Sequence, residues 1–511
     1  MTDYYVSGLA PRKYQINLFN EAKENNVLVV LPTGMGKTLI AAMVASYVLH
    51  ENYGKVLMLA PTKPLVDQHE KTMKSLLSLK QSEIFSLTGD IPAEDRMERW
   101  VLGKVLISTP QVAWNDIKHG ILDISKFGLV IFDEAHRAVG NYAYVGVSKA
   151  FREHRKKLIL GLTASPGADK QRFSDVTEVL GIDKVIIKNE EDEDVKPYVN
   201  KINITETKIE LPIELRPLIS ILKSILSEIH EYLYKSRLFP MKNPPRKLIA
   251  QQIKSVSARA IKGEKRLFSL IPYMTAAVRL DYALEYLETQ GFEIFDDYIS
   301  RILGSEEKTM KRTAQIIGKN ERFPELIDEI ERLREKPVSN SKMAMTLRIC
   351  EDILSRKKGR NIIVFTHFRK TSQMLADYLN SNSEIIRAVR FVGQSSREGD
   401  RGLNRKEQED IMTKFRSGEF NVLVATSVAE EGIDVPSTDA VIFYEPVPSD
   451  IRSIQRRGRT GRLSEGEVHI LTYAGTRDIG YLFTGKKKES AMKKNIKGFV
   501  KKKKKVTLDD Y

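Results

Sequence analysis

From residue 26 to residue 165 the chain alternates short aliphatic runs with longer stretches of helical spacing. The runs NVLVVL, KVLMLA, KVLIST, GLVIFD and KLILGLTAS each read as a strand that is apolar on both faces. Between the first two, TLIAAMVASYVLHENY has the period of a helix. Doubly buried strands separated by helices predict a parallel sheet covered on both sides. The pattern returns from residue 360 in NIIVFTH, IIRAVRFVG, FNVLVATS, DAVIFYE and EVHILTYA. The two halves are alike in architecture, and no short-period repeat links them.

Between them, over roughly residues 203 to 336, the period changes. RPLISILKSILSEIHEYLYKSRLF and MTAAVRLDYALEYLETQ are amphipathic at helical spacing, with Lys and Arg along their polar faces. NEEDEDVKPY and REKPVSNSK, acidic or rich in Pro and Ser, read as connectors. The predicted organisation is an α/β domain at 1–202, an inserted all-helical domain at 203–338, a second α/β domain at 339–480 and a basic, disordered tail at 481–511.

A chain of 511 residues, 41% apolar, has ample material for several cores. Its apolar runs are short and flanked by charges, which predicts no membrane span, and MTDYYVSGLAPRKYQ has no secretory pattern. One cysteine, Cys350, excludes an internal disulfide and a cysteine-rich metal site. The expected location is cytoplasmic, close to the nucleoid. A net charge of +15 changes the picture most, because it favours a polyanionic partner. Eleven lysines between Lys486 and Lys505 contribute to that excess and would attract nucleic acid regardless of sequence.

The polyanion has a small counterpart in LPTGMGKT, Leu31 to Thr38, which follows a strand and opens a helix. In that context Thr33, Gly34, Met35 and Gly36 form a loop whose backbone N–H groups cradle phosphates. Lys37 supplies a charge for the β and γ phosphates of ATP, and the Thr38 hydroxyl is placed for Mg2+. Leu31 stands where the strict loop pattern has glycine. LVIFDEAH, Leu129 to His136, is a second strand running into two carboxylates. Asp133 suits Mg2+, and Glu134 suits orienting or deprotonating the attacking water.

These motifs stand in a series that resembles the superfamily 2 helicases. PRKYQ, with Arg12 and Gln15, resembles the adenine-reading motif, and APTKPLVDQ, STPQV and LTASP follow in the first half. VFTHFRKT, ATSVAEEGIDVP and SIQRRGRTGR occupy the second. DEAHRAVGNYAYV, GEFNVLVATSVAEEGIDVP and YEPVPSDIRSIQRRGRTGR resemble the archaeal Hef helicases and their eukaryotic relative FANCM.

That resemblance implies two RecA-like domains with the helical insert between them, and an ATP-driven DNA motor that unwinds or remodels branched structures. It implies that Arg459 and Arg462 are arginine fingers reaching ATP across a cleft, with Gln455 helping to hold the site. Gly432 and Asp434 would border the nucleotide. Pro61, Thr62, Lys63, Thr109 and Gln111 would hold one strand in the first domain, with Thr366, His367 and Thr426 in the second. Thr163 and Ser165 would couple the two ligands. The basic residues Lys247, Lys254, Arg259, Lys262, Lys265 and Arg266 of the insert are placed to grip a duplex arm.

Two other readings stay open on sequence: an RNA-directed helicase with a similar insert, and a nonenzymatic scaffold for branched DNA that recruits a nuclease. The series lacks a nuclease region, so cutting is expected from a separate structure-specific nuclease. KVTLDDY, with Leu508 and Tyr511, resembles a sliding-clamp peptide, although Lys505 stands where that pattern has glutamine.

Overall fold

The computed structural model describes residues 6–7, 10–154, 157–164, 167, 169–356, 360–396, 400–430, 435–461 and 465–506. Ser165, Gly432, Asp434, Arg462, Leu508 and Tyr511 lie outside the described residues. The first sheet contains β1 (Val27–Val30), β2 (Lys55–Leu59), β3 (Ile84–Leu87), β4 (Val105–Ser108), β5 (Phe127–Asp133), β6 (Leu158–Thr163) and β7 (Lys184–Ile187). Their order is β3-β4-β2-β5-β6-β1-β7, every pair parallel. Because β1 lies between β6 and β7, with Val30 beside Thr163, the loop after β1 leaves from the same edge as Thr163. Ligands of such sheets bind at the carboxyl ends of the strands.

The second sheet contains β8 (Ile202–Ile209), β9 (Ile362–Phe365), β10 (Ala388–Phe391), β11 (Val422–Ala425), β12 (Ala440–Phe443) and β13 (Gly466–Tyr473). It runs β10-β11-β9-β12-β13-β8, again all parallel. Here the expected boundary at residue 203 is wrong. Strand β8 pairs with β13 from Ile202 opposite Gly466 to Ile209 opposite Tyr473, so it belongs to the second domain. Its sequence INITETKI is mostly polar because it is an edge strand with little of its surface buried, which hides it from a search for apolar runs.

Three helices of the first domain border the carboxyl edge of its sheet: α1 (Lys13–Ala22), α2 (Lys37–His50) and α3 (Lys63–Leu76). The insert forms helices from Arg216–Lys235 through Phe323–Glu335. It is not a separate core. Leu218, Leu222, Leu280, Leu284 and Phe295 pack in one apolar cluster with Ile362, Val364, Val422 and Ile442 of the second sheet. A fully buried ion pair, Lys342 Nζ to Asp478 at 2.5 Å, stands at this junction, and Lys342 also donates to the Thr289 carbonyl of the insert.

The tail departs from expectation as well. Residues Arg477–Val506 form one helix. Tyr481 donates to Glu285 of the insert, Arg457 pairs with Glu489 at 2.6 Å, and Met492 is buried. Lysine is a good helix former, and these anchors outweigh the repulsion along the basic run. Among the described residues no helix is long and apolar enough to cross a membrane.

Candidate functional site

The loop after β1 turns through Gly34 and Gly36, with φ of 78° and 77°, a region that favours glycine. A Cβ on Gly36 would lie 2.4 Å from Gln15 Nε2, so the close approach also requires glycine there. Tyr14 Oη and Gln15 Nε2, both on α1, donate to the Met35 carbonyl at 2.8 and 3.2 Å. The Arg12 amide donates to Gln15 Oε1, and the Arg12 guanidinium lies 4.6 Å over the Tyr198 ring. Gln15 thus braces the loop directly, while Arg12 holds Gln15 and stacks on Tyr198. Lys37 Nζ donates to the Leu31 and Pro32 carbonyls, which aims the ammonium into the loop, and Thr38 follows it in the first turn of α2.

Strand β5 delivers Asp133 to the same edge. Its side chain meets His69 of α3, with Nε2 and Oδ2 2.9 Å apart. Burial opposes ionisation of Asp133. The hydrogen bond and charge of His69, joined by the charge of Lys37, outweigh it and hold the carboxyl below its ordinary range. Glu134 adopts φ 49° and ψ 49°, left-handed backbone that is unusual for a residue with a side chain. Its Oε2 is buried without a hydrogen-bond partner among the described residues, 3.3 Å from His136 Nδ1. The same His136 nitrogen lies 3.0 Å from Thr163 Oγ1. That contact links the DEAH turn to the TAS segment.

The second domain approaches through the helix Asp450–Arg457, N-capped by Ser449. Gly458 packs on the phosphate loop so closely that a Cβ there would lie 1.8 Å from Thr33 Oγ1. Arg459 follows immediately and donates to the Glu430 carbonyl at 2.7 Å, while Gln455 is buried in the same helix. The neighbouring arginines are structural. Arg456 is fully buried against the Phe365 and Phe443 rings, and Arg452 and Arg456 share the Glu430 carboxylate at 2.7 Å. Those cations hold Glu430 below its ordinary range although burial acts the other way.

The expected strand-contacting residues gather at the carboxyl ends of four strands. Pro61, Thr62 and Lys63 follow β2, Thr109 and Gln111 follow β4, Thr366 and His367 follow β9, and Thr426 follows β11. Lys63 Nζ is paired with Asp90. Thr366 is an exception to the expected role: its side chain is fully buried and its hydroxyl donates to Glu445, so in this arrangement it does not face a strand. Glu445 also accepts from the His367 amide and so fixes the loop that carries His367. Sequence reasoning missed His69, Asp90, Glu430 and Glu445. His69 left a signal, since it shares the spacing of Val66, Met73 and Leu76 on the buried face of α3.

Known proteins share this fold. A family model described as the res subunit of type III restriction enzymes matches residues 8–168. A helicase conserved C-terminal domain matches residues 345–464. The chain is 40% identical to the Hef helicase domain of Pyrococcus furiosus, with a TM-score of 0.71, over 93% of this chain and 98% of that one. It belongs to the Hef family of superfamily 2 helicases. Two further relatives resemble this Hef-type chain along most of its length. A Methanocaldococcus jannaschii protein, provisionally named an ATP-dependent RNA helicase, is 37% identical over 96% of it. The Schizosaccharomyces pombe ATP-dependent DNA helicase fml1 is 31% identical over 92%. The chain spans 61% and 58% of the lengths of those two relatives.

Proposed function

We propose that this Hef-type chain hydrolyses ATP to move along DNA and to unwind or remodel branched structures: stalled forks, flaps and four-way junctions. The observation that carries the reading is the contact of Gly458 with Thr33, which brings the arginine helix of one domain onto the phosphate loop of the other. Lys37 holds the ATP phosphates, Glu134 orients the attacking water, and Arg459 with Arg462 stabilises charge developing in the transition state. Opening and closing of this cleft alternates the grip of the two domains on one strand.

The donor set fits Mg2+. Thr38 and Asp133 offer hard oxygens, Asp133 is held ionised, and no cluster of three or more His, Cys, Asp or Glu forms a cage among the described residues. A site with few protein ligands suits an ion shared with substrate phosphates. When bound, Mg2+ neutralises phosphate charge; Thr38 and Asp133 would hold it.

DNA is favoured by the name of the relative fml1, an ATP-dependent DNA helicase, and by the DNA-branch strings of the sequence. One relative's name favours RNA instead. Stimulation of ATP hydrolysis by forked DNA and by duplex RNA separates the two. Stronger stimulation by the fork supports this reading, and stronger stimulation by RNA rejects it.

A further inference from the structure

The side chains given roles above lie mainly on loops and turns at the carboxyl edges of the sheets, but His69 sits in the middle of α3. It is 5% exposed, and Asp133 beside it is 7% exposed. Its Nδ1 is buried without a hydrogen-bond partner among the described residues. A leucine at this position would fill apolar space without burying an unmatched ring nitrogen, but it would take from Asp133 its side-chain partner. The imidazole makes its polar contact through Nε2, 2.9 Å from Asp133 Oδ2.

The rest of α3 says what this bond connects. Lys63, the first residue of the helix, stands on the strand-binding edge. Asp67, one turn later, takes Arg405 of the second domain at 2.7 Å across the cleft. His69 lies six residues after Lys63, about 9 Å along the axis. One rigid helix therefore touches the strand track, the opposing domain and the aspartate of the nucleotide site. The backbone of Asp133 is already pinned, since the Tyr144 hydroxyl lies 2.6 Å from its carbonyl oxygen. Rotation of the carboxylate is the freedom left, and His69 restricts it.

We propose that His69 is a positioning residue through which strand binding at Thr62 and Lys63, and closure at Asp67, set the orientation of the Asp133 carboxylate. This rests on the ATP and Mg2+ reading above. Side chains that orient a metal's ligand in this way typically change affinity or activity about 10- to 100-fold when removed.

The test compares the unmutated chain with His69→Leu and with His69→Gln, whose amide N–H reaches close to the position of Nε2. Three quantities are measured: DNA-stimulated kcat and KM, DNA affinity, and the Mg2+ midpoint for binding a fluorescent non-hydrolysable ATP analogue with single-stranded DNA present. For His69→Leu the expected result is a DNA-stimulated kcat lower by about tenfold or more and a Mg2+ midpoint raised about tenfold. At saturating Mg2+, KM for ATP and DNA affinity should stay within about twofold. His69→Gln should recover both altered quantities to within about threefold of the unmutated chain. Unchanged stimulation and midpoint in His69→Leu would overturn the proposal. So would equal impairment in both variants, which marks a packing role. An unmutated chain without DNA-stimulated turnover would reject the ATP reading itself, a distinguishable failure.

Discussion

Gly458 and Thr33 meet across the cleft between the two domains, and no side-chain atom fits between them: a Cβ on Gly458 would lie 1.8 Å from Thr33 Oγ1. Closure therefore depends on a glycine whose backbone conformation, at φ −67°, any residue can adopt. Gly458→Ala is expected to keep the fold and nucleotide-free DNA binding while lowering kcat for ATP by at least about tenfold, because the domains cannot approach. Thr33→Gly in the same chain should restore part of the loss. A steady-state ATPase double-mutant cycle measures the coupling.

The parts of this cleft that were legible in sequence are contiguous in the chain. LPTGMGKT and the Asp133–Glu134 pair each follow a doubly buried strand, so local pattern alone located them. The approach of the arginine motif to the phosphate loop was not legible from local pattern, because the contact of Gly458 with Thr33 joins residues 425 positions apart (458 − 33). Asp90 and Glu430 were invisible for a related reason, and His69 showed its buried face but not its partner: each acts through a residue of another element. Strand β8 was lost to its polar edge, and the C-terminal helix was misread because its charge run obscured the anchors Tyr481, Glu489 and Met492.

Glu430 neutralises Arg452 and Arg456 where both press against the arginine motif. Glu430→Gln leaves a buried guanidinium without its countercharge and should cost about 3 to 5 kcal/mol of stability at neutral pH. Because the folded carboxyl titrates below its ordinary range, its contribution is complete above the unfolded pKa of about 4.3. It is lost as pH falls through the lower folded value. The gap in melting temperature between the two chains should therefore narrow in acid, which thermal melts from pH 7 to pH 3 check.

Lys63 spends its charge on Asp90, which Thr88 also holds. Those bonds outweigh burial and draw the Asp90 carboxyl down to about 2, so the pair stays charged at any working pH. Asp90→Asn should free Lys63 for a phosphate. Single-stranded DNA is expected to bind about two- to tenfold tighter at low salt, with a steeper salt dependence by roughly one charge. Fluorescence anisotropy across a salt series measures both.

Removing the insert is a poor test of its role, since its helices complete the core of the second sheet. Charge reversal on the surface avoids that. Changing Lys247, Lys254, Lys262 and Lys265 to Glu should leave the melting temperature within a few degrees. Stimulation by forked DNA should fall at least about tenfold while stimulation by single strands falls much less. Equal loss on both substrates would remove the duplex grip from the account.

The central claim is that ATP turnover in the cleft drives strand separation on branched DNA. Its most direct measurement follows a labelled fork with ATP and Mg2+ for the unmutated chain, Lys37→Ala and Glu134→Gln, with nucleotide binding recorded in parallel. The account predicts fork unwinding by the unmutated chain alone. Lys37→Ala should lose hydrolysis while still binding DNA. Glu134→Gln should bind ATP and turn it over at least about a hundredfold more slowly. Fork separation by Lys37→Ala at the unmutated rate, or near-normal turnover by Glu134→Gln, would contradict it.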